Sequence, residues 1–252
     1  MKVIFTRKDE FDDYSAIADF FADNEIDRVQ TYIATTLNLD LHYLNKLDFD
    51  GKVIYISNKL QKEYINASNI IDNKINEINI LWDLVCEDVF SILSKEFDLK
   101  LPSNKPINAE FTLNVVCPRY LDRWAFDINY RKNNNEIILI CIHEIIHFIW
   151  FEKWRYSFPN VKDYECNTPS LSWLFSEIAI DAIMKESDLY KYCCVDKPSY
   201  KHFYGKCIDD IDIMEFFRKL YRDNNMSEFM IKGYNFMLDN KGFFDKLKQD
   251  RC

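Results

Sequence analysis

The stretch from Glu136 to Trp150, EIILICIHEIIHFIW, constrains this chain more than any other. Apolar side chains fill nearly every position, so a helix built from it is buried on all faces. Such a helix must still satisfy two histidines and a glutamate, because an isolated buried ionisable group is costly. At helical pitch His143 and His147 stand four residues apart and project from the same side. With Glu144 they spell His-Glu-x-x-His, the pattern in which two imidazoles hold a zinc ion and the glutamate works on water. The competing reading is a core helix whose histidines bond to neighbouring carbonyls.

Composition narrows the setting of that helix. Only four glycines (Gly51, Gly205, Gly233, Gly242) and six prolines argue against a many-turned all-β protein, so the expected class is α+β and mostly helical. A formal net charge of -9 and a pI near 5.0 speak against nucleic-acid binding, which needs a basic face. Met1 to Phe11 lacks the apolar core of a signal peptide, and the run from Ile137 to Phe151 is too short for a membrane span. A cytoplasmic protein without membrane or nucleic-acid partners is the expectation. Its eight cysteines include no CxxC pair and read as reduced thiols, with the adjacent Cys193 and Cys194 as ordinary members of that set.

Along the chain, residues 1–104 read as a mostly helical N-terminal region and 105–252 as a catalytic region with a helical C-terminal part. The two form one continuous domain in the alternative reading. Val3 to Phe5 suits a short strand, Phe11 to Phe21 an acidic helix, and Lys52 to Ile56 after Gly51 a second strand. Ile70 to Phe97 carries apolar residues at helical spacing, which predicts one long helix ending at the loop Leu101 to Asn104. His42 has no ligand partner at a useful spacing and reads as an ordinary histidine. From Ile107 to Val116 the residues favour a strand. Trp124 to Tyr130 then alternates, predicting a half-buried strand, antiparallel to a neighbour, with Asp127 on its polar face. Arg131 to Asn135 turns the chain, an asparagine caps, and Glu136 suits a helix N-terminus.

A catalytic zinc needs a third protein ligand. The extended pattern with a third histidine fails, because Trp150 and Lys153 stand where its glycine and histidine belong. A second apolar helix supplies acids instead. Thr168 reads as its N-cap, Pro169 as its first residue, and Glu177 and Asp181 lie four apart on one side. Paired buried carboxylates resist ionisation unless cations face them. Zinc at Glu177 and a histidine N–H at Asp181 would satisfy both, whereas exposure or an arginine is the plainer alternative. The patterns Met214 to Tyr221 and Met226 to Leu238 read as further packing helices.

His143-Glu144-Ile-Ile-His147 followed by Glu177-Ile-Ala-Ile-Asp181 resembles the gluzincin branch of the HExxH zinc metallopeptidases, over Trp124 to Met184. The resemblance implies a zincin-like fold, with a small mixed or antiparallel sheet packed on the HExxH helix and the Glu-bearing helix. It implies His143, His147 and Glu177 as Zn2+ ligands, Glu144 as general base and Asp181 as the group orienting His143. The interval between His147 and Glu177 is longer than in the thermolysin type, so Trp154 to Asn167 is expected as an inserted loop. With no glycine between Gly51 and Gly205, the glycine-containing exopeptidase motif is missing, and an endopeptidase is expected rather than an aminopeptidase.

Peptide hydrolysis also needs a donor for the oxyanion. Tyr200-Lys-His202-Phe-Tyr204 offers His202 and Tyr204, and Tyr234 is a further candidate. The strand at Trp124 to Tyr130 could bind an extended peptide or protein substrate edge to edge. Two other classes compete: a metal-binding regulatory protein without peptidase activity, and a di-iron helical protein using Glu144-Ile-Ile-His147. The latter lacks a second Glu-x-x-His element.

Overall fold

The β-prone segments around Ile107 and Phe126 do form strands, and they meet the N-terminal strand in one small sheet. In the computed structural model, which describes residues 1–22, 27–102, 104–193 and 203–249, the chain is α+β and mostly helical. Its elements in order are β1 (Lys2–Arg7), α1 (Glu10–Asp19), α2 (Arg28–Thr36), α3 (Leu41–Leu44), α4 (Phe49–Asp83) and α5 (Cys86–Phe97). Then follow β2 (Pro106–Thr112), β3 (Arg119–Tyr120), β4 (Ala125–Asn129), α6 (Asn134–Ser157), α7 (Leu171–Glu186), β5 (Cys207–Ile208), β6 (Ile211–Asp212), α8 (Ile213–Arg222), α9 (Met226–Asp239) and α10 (Lys241–Gln249). No helix among the described residues is long and apolar enough to cross a membrane.

Two compact units divide the chain, Met1–Leu84 with Ser103–Ile140, and Val85–Pro102 with Cys141–Arg251. The chain crosses between them at 84/85, 102/103 and 140/141. The first and third fall in stretches that the sequence pattern reads as continuous helix.

The first unit holds the sheet, ordered β1-β2-β4-β3. β1, β2 and β4 run parallel, with Val3 opposite Ile107 and Ala109 opposite Phe126, and β3 alone runs antiparallel to β4. Two expectations change here. β4 is interior to the sheet rather than an edge, so it offers no free rim for a peptide strand over Ala125 and Phe126. It is also buried along its whole length, as parallel strands covered on both faces are. Asp127 is therefore a core residue, and Lys8 answers its charge at 2.6 Å. Asp13 is likewise buried and accepts from Thr112 and from the Leu113 amide at 2.9 Å, fixing α1 to the end of β2.

Lys52 to Ile56 is helix rather than strand. Val53, Ile56, Leu60, Tyr64, Ala67, Ile71, Ile78 and Trp82 of α4 are buried at helical spacing, while Ile54 is 62% exposed. That period, sustained along the helix, outweighs the local preference of a β-branched pair. Gly51 belongs to the first turn, where its amide donates to the capping Asp48 side chain. The helix expected from Ile70 to Phe97 is broken between Asp83 and Cys86, and α5 buries a new stripe of Val89, Ile92, Leu93 and Phe97.

The second unit is helical around an aromatic core. Trp150 and Trp154 stack on α6 at 5.8 Å, and Trp150 meets the edge of Phe175 of α7 at 5.1 Å. Phe175 continues to Phe217 of α8 at 5.3 Å and Phe229 of α9 at 5.6 Å. Gly233 of α9 permits this closeness, since a Cβ there would stand 2.4 Å from the Phe175 ring.

Candidate metal centre

The start of α6 is set by a reciprocal cap. The Asn133 side chain accepts from the Glu136 amide at 3.0 Å, and Glu136 returns its carboxylate to the Asn133 amide at 3.1 Å. This fixes the helical phase, and His143, His147, Trp150 and Trp154 then fall at intervals of four, three and four on one stripe. The stripe that builds the aromatic core thus begins with the two histidines. α7 starts later than its sequence suggests. Ser170, not Thr168, is the N-cap, because its hydroxyl takes the Trp173 amide at 3.0 Å and also bonds to the Glu165 carbonyl. Every residue of α7 from Leu171 to Ile183 is buried. A carboxylate anywhere in that span must meet a partner.

For Glu177 the partners are the histidines. Its Oε2 lies 3.3 Å from His147 Nε2 and 3.6 Å from His143 Nε2, and the two Nε2 atoms are 3.2 Å apart. Among the described residues these three form the group able to hold a metal ion. Zinc bonds of about 2.0–2.1 Å at tetrahedral angles put neighbouring donors about 3.3–3.4 Å apart, so the triangle has the size of one tetrahedral face. Two imidazole nitrogens and a carboxylate are donors that zinc accepts, as other divalent transition metals do. The donor set fits the ion.

Access differs across the cluster. His147 and Glu177 side chains are 0% and 3% exposed, while His143 and Glu144 reach 17% and 16%. The Glu144 carboxylate lies 3.9 Å from His143 Nε2, so it stands beside the donors on the side open to solvent. His147 is held from behind by the Phe151 ring, nearly parallel at 6.4 Å. Burial, reinforced by the Glu144 charge, pushes the Cys141 thiol well above its ordinary range. Cys141 is thus a neutral packing residue.

Asp181 stands one turn beyond Glu177, and its partners are Tyr204 and Lys185. Its Oδ1 accepts from the Tyr204 hydroxyl at 2.5 Å and pairs with Lys185 at 3.1 Å, and Lys185 also donates to Tyr204. Burial, then the bond to Asp181, raises the Tyr204 phenol, which stays protonated and donating. The sequence reading missed Lys185, although its place four residues after Asp181 was the available signal. Tyr204 is thereby engaged with Asp181. Tyr234 packs its ring against Trp154 at 5.0 Å and Phe158 at 5.5 Å, within the aromatic core. Tyr200, His202 and Cys194 lie outside the described residues. His42 is exposed, and Cys141, Cys166 and Cys193 are buried.

No protein-family model matches the chain, and no curated protein and no solved structure matches it.

Proposed function

We propose that this chain is a zinc-dependent peptide-bond hydrolase, an endopeptidase in type, with His143, His147 and Glu177 as the ligands. The observation that carries the reading is the triangle of donors at 3.2, 3.3 and 3.6 Å, drawn from two buried helices and bordered by Glu144. On this reading α6 and α7 are the HExxH helix and the Glu-bearing helix of a zincin-like centre.

Zinc bound there would supply Lewis acidity, which makes water nucleophilic near neutral pH and polarises a peptide carbonyl. Glu144 is the general base. It is half-buried and beside the donors, so its carboxylate can take a proton from water and return it to the leaving amine nitrogen. The buried pair His147 and Glu177 keeps the inner side of the cluster dry. Tyr204 and Lys185 neutralise and hold Asp181, one turn from Glu177 on α7. His202 retains the oxyanion role that its sequence position suggests.

The test joins metal analysis to hydrolysis of a broad peptide library. The parent should hold one zinc per chain and cleave peptides in a chelator-sensitive way. Glu144→Gln should keep the zinc and lose about 10²–10⁴-fold in rate. A parent without zinc overturns the proposal. Stoichiometric zinc with no cleavage would overturn the hydrolase and leave a metal-binding regulatory protein.

A further inference from the structure

We propose that the second unit carries an anion site of its own, a cavity that receives the phosphate group of a small hydroxylated molecule. The inference does not rest on the metal centre. Lys153 lies six residues beyond His147, on another face of α6.

A cavity of about 700 Å³ opens between the end of α5, Lys153, the end of α7, and the junction of α8 with α9. Lys153 lines it, although the residue as a whole is only 9% exposed. No hydrogen bond or ion pair among the described residues engages its ammonium group. Its stem is buried while the ammonium group is left to the water of the cavity, where an anion can meet it. The other charges on the wall are already answered. Arg222 pairs with Glu186 at 3.0 Å and Glu215 at 3.3 Å, Glu96 accepts from the Tyr221 hydroxyl, and Lys95 lies 3.9 Å from Asp188. Asp98 is exposed at the rim, where solvent screens it.

The second component is the N-terminus of α9, a helix of 14 residues. Asn225 caps it by accepting from the Glu228 amide at 3.0 Å. The amides of Met226 and Ser227 have no acceptor among the described residues, and both residues line the cavity. Free first-turn amides and the positive end of the helix dipole bind oxyanions, and lysine adds a full charge. Lys153 and these amides together make a phosphate seat. The volume exceeds that of a bare phosphate and suits a small metabolite. Glu96, Glu186 and Asn224 on the remaining wall supply acceptors for hydroxyl groups.

Calorimetric titration of the full chain with inorganic phosphate, glycerol 3-phosphate and glycerol tests the proposal, with and without added zinc. Both phosphates should bind, glycerol 3-phosphate more tightly, glycerol alone not at all, and zinc should leave the affinities unchanged. Lys153→Met should weaken phosphate binding at least about tenfold. Ser227→Asp places a carboxylate at the first turn, which favours the helix but repels the ligand, so it should abolish binding while the protein stays folded by circular dichroism. Absence of phosphate binding to the parent, or binding untouched by both variants, refutes the anion site. Glycerol 3-phosphate no tighter than phosphate refutes the hydroxylated ligand.

Discussion

Lys8→Met isolates the most exposed weakness of the first unit. Lys8 Nζ reaches the two Asp127 oxygens at 2.8 and 2.6 Å, and the two side chains are 3% and 0% exposed. At an effective dielectric of about 20, unit charges roughly 2.7 Å apart attract by about 6 kcal/mol, most of which offsets their removal from water. Deleting one partner leaves the other buried charge unanswered, at about 3–5 kcal/mol. The two deletions should differ. Without Lys8, Asp127 keeps only the Tyr120 hydroxyl at 3.3 Å and has the carboxylates of Asp13 and Glu110 near it, which both push its pKa up. Without Asp127, Lys8 still has Glu110 at 3.8 Å and the Tyr120 hydroxyl at 3.0 Å. Lys8→Met should therefore fall at the upper end of that range and Asp127→Leu at the lower, while the double variant should recover most of the loss. Acid should rescue Lys8→Met. Burial holds the parent's Asp127 carboxyl at about 6 even with Lys8 beside it. A folded-state value above the unfolded one makes the group's stabilising contribution complete below about pH 4 and lost as pH rises through 6. Removing Lys8 moves that loss to higher pH, so its penalty is largest at pH 7 and small near pH 5. Urea unfolding of the four proteins at both pH values measures all of this. A Lys8→Met penalty below about 1 kcal/mol at pH 7, or single penalties that simply add in the double variant, would refute the reasoning.

Glu177→Gln keeps shape but removes the anionic ligand, and zinc retention on dialysis should fall at least about tenfold, because hydrogen-bonding amides are poor zinc ligands; unchanged retention would remove Glu177 from the centre. Gly233→Ala forces a methyl to 2.4 Å from the Phe175 ring and should destabilise the second unit by about 1–3 kcal/mol in thermal unfolding, with no loss expected only if the aromatic core is looser than its ring distances indicate.

What the sequence made legible was whatever local period and local chemistry decide. α6 carries its cap, its phase and its His-Glu-x-x-His pattern within one stretch, and the acids of α7 repeat at the interval that puts them on one side. Errors arose where a distant partner decides. Asp127 alternates like a solvent-facing residue, and Lys8, 119 positions away, answers its buried charge. Val53 to Ile56 reads as a strand until the helical spacing of the whole of α4 is counted. The partners that Asp181 meets, Lys185 on its own helix and Tyr204 on a later segment, were not read from the sequence. The parallel pairing of β1 with β2 joins residues about a hundred positions apart, a register that no local pattern encodes.

The crossings between the units, at 84/85, 102/103 and 140/141, have a genetic consequence. Neither unit is an uninterrupted run of codons. A gene fragment encoding residues 141–252 would carry both histidines, Glu177 and the aromatic core, yet omit α5, whose Glu96 accepts the hydroxyl proton of Tyr221. The shortest run that carries the second unit whole, 85–251, necessarily brings residues 103–140 of the first unit with it.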